Sequence, residues 1–444
     1  MIIVNKRLPL LIRHIMYNLR GGFLVRPLVI ALVLGAAGAL FSWMEEAFPY
    51  ISDWVPRSLF PSHADPQVAQ VILGGIGSSA MTVVSIVFAI LLMTLTLASM
   101  QFSPRIIVGF ARDGVTQWTL GVFLGTFCYC MAALPAARSK PYPFAPVATV
   151  SGAMVLAVVS VAWLLFFIHH ISGAISVNQI VDKIAMETEA VVDDMMPWPR
   201  RSIHLAVDHS TDDVKWELPI LSEVSGYIRF VDTRRLVTLA KTHRVKIHVV
   251  RRVGRFVPQG APLLMISRAE RATSDLADSL RGAFDFGPSR TLQQDIEFGV
   301  LQIVDIALKA ISPAVNDPST AISCVDQLSR ILIRVASREP PEERLYDPPG
   351  VLRVQLAWHS FERLLDSAFE QIRMYSKSDV AVSLRMLRAL GDIAGTTADP
   401  EIRRLLLDRA NRVVDGCAEK LHEHEMAPIR ARLREMNLGH IPAT

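Results

Sequence analysis

The sequence predicts an α-helical integral membrane domain of four transmembrane helices, followed by a small cytoplasmic β domain and a C-terminal α-helical cytoplasmic domain. Three observations lead there. Of 444 residues, 51% are hydrophobic and only 20% charged, and the mean hydropathy of +0.33 exceeds that of ordinary soluble chains. The apolar excess lies at one end: residues 1–171 hold ten Lys/Arg and five Asp/Glu, leaving 36 of the 46 basic and 37 of the 42 acidic residues to the remainder. That end also contains four charge-free stretches, each long enough to cross a hydrocarbon core of about 30 Å, which takes about 20 helical residues. Disorder, collagen and coiled coil are excluded by the same composition. Cys128, Cys130, Cys324 and Cys417 form no C-x-x-C pair, which fits a reducing compartment without a disulfide framework.

The charge-free stretches run Pro27 to Met44, Pro66 to Pro104, Gly114 to Ala137 and Pro141 to Ile168, and the spans drawn from them are 27–44, 68–103, 115–137 and 143–168. The first reads as a retained span and not as a signal peptide. Its basic leader is long, and Trp43, Glu45 and Glu46 follow where small residues would mark cleavage. Lys and Arg resist translocation, so Lys6, Arg7, Arg13, Arg20 and Arg26 place the N-terminus inside, facing a first loop with Glu45, Glu46, Asp53 and Asp65 against Arg57 alone. Arg105 and Arg112 in the second loop agree, whereas Arg138 and Lys140 in the third run against the rule. Four crossings then return the C-terminal part to the cytoplasm.

The second span is unusual. Small or hydroxyl residues recur after Gly74 at Ser78, Thr82, Ser85, Ala89, Thr96 and Ser99, at spacings of three, four or seven that share one helical face. In lipid such a face turns away from acyl chains, either to let helices pack closely, the commoner use, or to line water. The segment also exceeds one crossing, so it must tilt, break near Gly74, Gly75 and Gly77, or project beyond the membrane. No Asp, Glu, Lys or Arg lies inside a span, which removes the usual ionisable site of a proton- or sodium-coupled pump. His169 and His170, where the fourth span ends, read as a headgroup-level pair more readily than as a pH or metal site.

Residues 172–217 read as a connector, in which Ile175, Ile180, Ile184 and Val191 mark an amphipathic helix ended by Pro197-Trp198-Pro199. Residues 218–267 read as a β domain, with short Val- and Ile-rich runs punctuated by Gly226, Gly254 and Gly260. Its phrases Gly226-Tyr227-Ile228, with Leu236, and Val253-Gly254-Arg255-Phe256-Val257-Pro258-Gln259-Gly260-Ala261-Pro262-Leu263 are similar to the turn and strand of barrel-sandwich domains such as biotinyl/lipoyl modules. No lysine stands in the hairpin position that a prosthetic group needs, so that resemblance implies a shape and no cofactor. The domain is strongly basic: Arg229, Arg234, Arg235, Lys241, Arg244, Lys246, Arg251, Arg252 and Arg255 stand against Asp232 alone between Ile228 and Phe256. Such a patch attracts an anionic ligand, a lipid headgroup or an acidic neighbouring subunit, or is simply a solvated strand face. Nucleic acid is not expected, because aromatic interleaving is poor.

Residues 268–444 read as helical, continuously so from Thr291. In Gln294-Asp295-Ile296-Glu297-Phe298-Gly299 and Ser312-Pro313-Ala314-Val315-Asn316-Asp317-Pro318, Asp317 is expected to cap a helix whose first residue is Pro318, which has no amide hydrogen to waste there. The functional alternative gathers Asp295, Asp305, Asn316 and Asp317 as oxygen ligands for a cation, without EF-hand spacing to support it. These two motifs, together with Ser99-Met100-Gln101-Phe102-Ser103-Pro104-Arg105 at the end of the second span, resemble the bacterial membrane proteins grouped as domain of unknown function 2254. The resemblance runs over nearly the whole chain and implies an inner-membrane location without an activity.

Downstream, Leu352, Leu356, Phe361, Leu365 and Phe369 suggest a helix beyond the Pro340-Pro341 and Pro348-Pro349 breaks. His422-Glu423-His424-Glu425 reads as solvated surface, because alternate positions on a helix face different ways and no metal is assigned there. Without G-x-x-x-x-G-K-S/T, H-E-x-x-H or G-x-S-x-G, an enzyme is not expected and no cofactor is called for. The reading that remains is a homo-oligomeric channel or passive pore for small ions, lined by Ser78, Thr82, Ser85, Ala89, Thr96 and Ser99, with the basic domain as a vestibule. A non-conducting sensor or scaffold that binds an anionic ligand, a lipid headgroup or a protein partner is the alternative.

Overall fold

Four helices long and apolar enough to cross a membrane make up the first of two units in the computed structural model. They are α1 (Val25–Ala47), α2 (Pro66–Gln101), α3 (Gly114–Ala133) and α4 (Val147–Ala174). The structure describes residues 25–55, 65–101, 114–139, 143–174, 176–198, 214–347 and 350–438. The leader residues Lys6, Arg7, Arg13 and Arg20, the loop residues Arg57, Arg105, Arg112 and Lys140, and the motif Phe102-Ser103-Pro104-Arg105 lie outside them.

Close approach of α1 to α3 organises this unit. A Cβ on Gly38 would stand 2.5 Å from the Tyr129 carbonyl oxygen and 3.0 Å from its Cα, while Gly121 and Gly125 leave room for Ile30 and Leu34. Small residues let helix backbones meet where lipid supplies no hydrophobic drive. The ends of the helices are fixed by Glu45. Its carboxylate, 1% exposed, accepts from the backbone N–H of Ala148 (2.7 Å) and Thr149 (2.9 Å), from Thr149 Oγ1 and from Ser52 Oγ. It thereby satisfies the open amides and positive dipole end of α4. Arg138 pairs with Glu46 at the same end, and Gln70 Nε2 donates to the Ala137 carbonyl there. The ends of α1 and α3 and the starts of α2 and α4 thus meet, so the four helices alternate in direction.

In α2 the helix is unbroken through Gly74, Gly75 and Gly77. Its 36 residues extend about 54 Å at 1.5 Å per residue, which leaves tilt or projection and removes the break as an explanation. His169 and His170 lie in the last turns of α4.

The second unit, Val177–Thr444, opens with α5 (Val177–Met195). Its buried stripe of Ile180, Val181, Ile184, Ala185, Thr188 and Val192 packs on α8 (Ile296–Ala310) and α9 (Pro318–Ala336). Arg330 reaches Asp182 and Glu189, Arg334 and Arg338 reach Asp193, and Arg338 also lies 3.8 Å from the centre of the Trp198 ring.

The β region departs from the sequence reading. Its elements are β1 (Leu218–Leu221), β2 (Gly226–Val231), α6 (Thr233–Thr242), β3 (Ile247–Val249), β4 (Phe256–Val257), β5 (Pro262–Ile266), α7 (Ser274–Arg281) and β6 (Phe284–Gly287). Downstream lie β7 (Arg344–Asp347) and β8 (Val351–Leu356), and the strands form two sheets, ordered β1-β5-β3-β8-β7 and β4-β2-β6. Helix α6 arises because Asp232 caps it through the Arg235 amide. The likeness to a barrel-sandwich domain is not supported: β2 and β4 of its two phrases do pair with each other, but α6 and α7 interrupt the strands, and β3 between the phrases pairs with the distant β8. Nor is the chain helical throughout from Thr291. Leu352 and Leu356 fit a helical spacing, but with Val354 they also alternate at period two, and β8 buries all three beside β3 in parallel register, Ile247 opposite Val354.

The core joins Ile228, Leu236, Ile247, Leu263, Leu264, Ile266, Leu276, Leu280 and Val354 between the strands and α6 and α7. The chain ends in α10 (Phe361–Tyr375), α11 (Val380–Thr396), α12 (Pro400–Ala418) and α13 (Glu423–Leu438).

Candidate functional site

Two places carry polar chemistry that packing alone does not require. The first is the outer face of α2. A turn of 100° per residue puts Ser78, Thr82, Ser85, Ala89 and Thr96 within about 60° of one another, diametrically opposite Ala69, Ala80, Val87 and Thr94. The second set is buried and forms the seam of the unit, and the first set is exposed. Each hydroxyl bonds back to its own helix, Ser78 to Gly75, Thr82 to Ser78, Ser85 to Met81 and Thr96 to Leu92. The side chain of Ser99 lies outside the described residues.

The second is an ionic junction in the second unit, where the β3–β4 loop meets the starts of α8 and α10. Asp295 caps α8 by accepting from the Phe298 amide (3.1 Å) and receives Arg290 through Nε (2.7 Å) and Nη2 (2.8 Å). Glu297, two residues on, accepts from Arg290 Nη2 (2.9 Å), Arg363 Nε (2.9 Å) and Ser367 Oγ (3.1 Å). Arg363 stands in the first turn of α10, which Ser360 caps. The loop closes in at Gly254, whose φ of 83° suits glycine and whose Cβ would stand 2.2 Å from Asp295 Oδ2. This brings Arg252 and Arg255 to the cluster. His359 Nδ1 lies 3.8 Å from Glu297 Oε1, and neither ring nitrogen has a hydrogen-bond partner although both are buried.

The electrostatics follow from this crowding. Burial works against charge on Glu297, but protonated His359 and the hydrogen bonds of Arg290 and Arg363 outweigh it and draw the carboxyl down to about 2. Burial lowers His359 below its ordinary value, as do Arg252 and Arg290, against the pull of Glu297 and Asp295. Arg252 is lowered by burial first and by Arg255 next. Asp295, Glu297 and His359 present ligand atoms within 4.8 Å of one another, a spacing that suits a metal ion. Their carboxylate oxygens, however, already accept from Arg290, Arg363, Ser367 and the Phe298 amide, so a cation has to displace a guanidinium.

The proposed ligands Asp295, Asp305, Asn316 and Asp317 are not brought together. Asp295 precedes the 15-residue α8 and Asp317 follows it, which separates them by about 22 Å of helix. Asp317 instead caps α9 through the Thr320 amide (3.1 Å) and Oγ1 (2.6 Å), with Pro318 behind it. Asn316 is exposed with a φ of 49°, and Asp305 is half-buried within α8.

The nine basic residues also separate. Arg229 is paired with Asp285 (2.9 Å) and Lys241 with Asp347 (3.0 Å). Arg234 and Arg235 lie on α6, Arg244 and Lys246 lie before β3, and Arg251, Arg252 and Arg255 share the loop at the junction. Arg290, Glu297, His359 and Arg363 were not singled out from sequence. Glu297 belongs to the Gln294-Asp295-Ile296-Glu297-Phe298-Gly299 motif, but nothing local announces a partner 66 residues away.

Uncharacterised proteins of Mycobacterium bovis and Mycobacterium tuberculosis are 34% identical to the chain over 347 residues, covering 76% of it and 66% of each relative. The chain thus spans about two thirds of their length. No solved structure gives a significant match. A family model described as a predicted membrane protein matches residues 20–392, and the chain belongs to that family, DUF2254.

Proposed function

We propose that this membrane protein is an oligomeric channel or passive pore for small ions, in which the second spans of several copies surround the path. One observation carries the reading: the Ser78, Thr82, Ser85, Ala89 and Thr96 face of α2 points away from the chain's own bundle. A small, hydroxyl-bearing face is a poor lipid surface, and assembly about a ring axis turns it inward. The basic leader supports an inner-membrane orientation with both termini cytoplasmic, in which the second unit is a cytoplasmic vestibule or gate. The boundaries proposed for this arrangement are a transmembrane domain over 1–171, a connector over 172–217, a basic domain over 218–267 and a helical domain over 268–444.

The test is ion flux through the purified protein in liposomes, under separate cation and anion gradients, with Ser85→Leu as the comparison. Ser85 is exposed, so leucine leaves the fold intact while narrowing the path. Flux in the native protein and its loss in the variant are expected. Silence across ion, voltage and tension conditions overturns the pore and leaves the anchored sensor or scaffold.

A further inference from the structure

We propose that Arg252, His359 and Arg363 form a binding site for a phosphate-class oxyanion where the β3–β4 loop meets the starts of α8 and α10. This stands apart from the pore reading and rests on other residues. Arg290 and Arg363 hydrogen-bond the two carboxylates, which also accept from Ser367 and the Phe298 amide; Arg252 lies within electrostatic reach of Glu297, Arg290 and Arg363, and Arg255 lies beside it. Arg252 is left half-buried, and its guanidinium makes no hydrogen bond or ion pair with any described residue. A partly desolvated cation beside three others is costly until an anion joins it.

His359 adds the second, independent sign. Its side chain is 12% exposed, and both ring nitrogens are buried without a hydrogen-bond partner, whereas buried polar atoms are nearly always satisfied. A neutral imidazole offers one N–H to an anion without further charge. Arg363 uses Nε for Glu297, its side chain is 52% exposed, and its terminal nitrogens make no other bond among the described residues. Arg255 is exposed at the rim. Donors converging from two separate loops suit a tetrahedral group with several acceptor oxygens better than a planar carboxylate, and guanidinium forks match its geometry.

Full-length protein in phosphatidylcholine nanodiscs is titrated calorimetrically at constant ionic strength, with inorganic phosphate in one arm and water-soluble dihexanoyl phosphatidate in the other. Saturable binding is expected in at least one arm, weakened tenfold or more by Arg252→Gln and by His359→Phe and unchanged by Arg244→Gln. Binding in the phosphate arm identifies a free anion as the source; binding confined to the phosphatidate arm identifies a lipid headgroup. Because Arg252→Gln removes an unpaired charge, its ligand-free melting temperature is expected to match or exceed that of the native protein. Saturation in neither arm, native-like binding by Arg252→Gln, or a fall in its ligand-free melting temperature overturns the assignment.

Discussion

Replacing Glu297 with glutamine tests whether the ionic junction holds the starts of α8 and α10 together. The carboxylate is 8% exposed and receives Arg290, Arg363 and Ser367. Its depression from the ordinary 4.5 to about 2 corresponds to about 3 kcal/mol of stability at neutral pH. The sign is that of a lowered carboxyl: the contribution is complete above about pH 4.5, falls to about half near pH 3 and vanishes below about 2. Glutamine keeps the size of the side chain and removes the charge, while Asp295 still holds Arg290. The variant should melt about 6–12 °C lower at pH 7 by scanning fluorimetry, following the transition that contains the second unit. The gap should narrow by about half at pH 3. A variant within 2 °C of the native protein at pH 7, or a gap that does not change with pH, refutes the reasoning.

Three further outcomes are expected. Gly38→Ala should destabilise the first unit by about 1–3 kcal/mol, because the new Cβ meets Tyr129 backbone at 2.5 Å, whereas Gly74→Ala, with nothing within 4 Å, should not; thermal unfolding in detergent compares the two. Gly299→Ala places a Cβ 2.0 Å from Thr188 Oγ1 and should cost a similar amount, with Thr188→Ala in the same chain recovering most of it and so giving a non-additive double-mutant cycle. Cys324, pushed up to about 12 by burial and then by Asp317 and Asp326, should resist iodoacetamide at pH 8 until the protein is denatured, as read by mass spectrometry.

Local properties were legible in the chain. Charge-free length marked all four apolar helices, since crossing a hydrocarbon layer demands a run of residues that no distant contact can replace. Asp317 before Pro318 announced a helix start for the same reason: a cap is made by residues three apart. The face of α2 was readable as a stripe, but its direction was not. Whether Ser85 or Val87 turns inward depends on which neighbours α2 meets, and only the packed bundle decided that. The same holds for β8, where Leu352, Val354 and Leu356 satisfied two periodicities until pairing with β3 chose the strand. The ionic junction was the least visible feature, because Arg252, Glu297, His359 and Arg363 come from three separate loops and helix starts. Charge in a sequence carries no address: nine basic residues within 29 positions look like one patch, yet folding pairs Arg229 with Asp285 and Lys241 with Asp347 and leaves Arg252 at the junction. Composition settled how much charge and apolar surface the protein has, and tertiary packing decided which charges meet, because Coulomb interactions depend on distance in space and not along the chain.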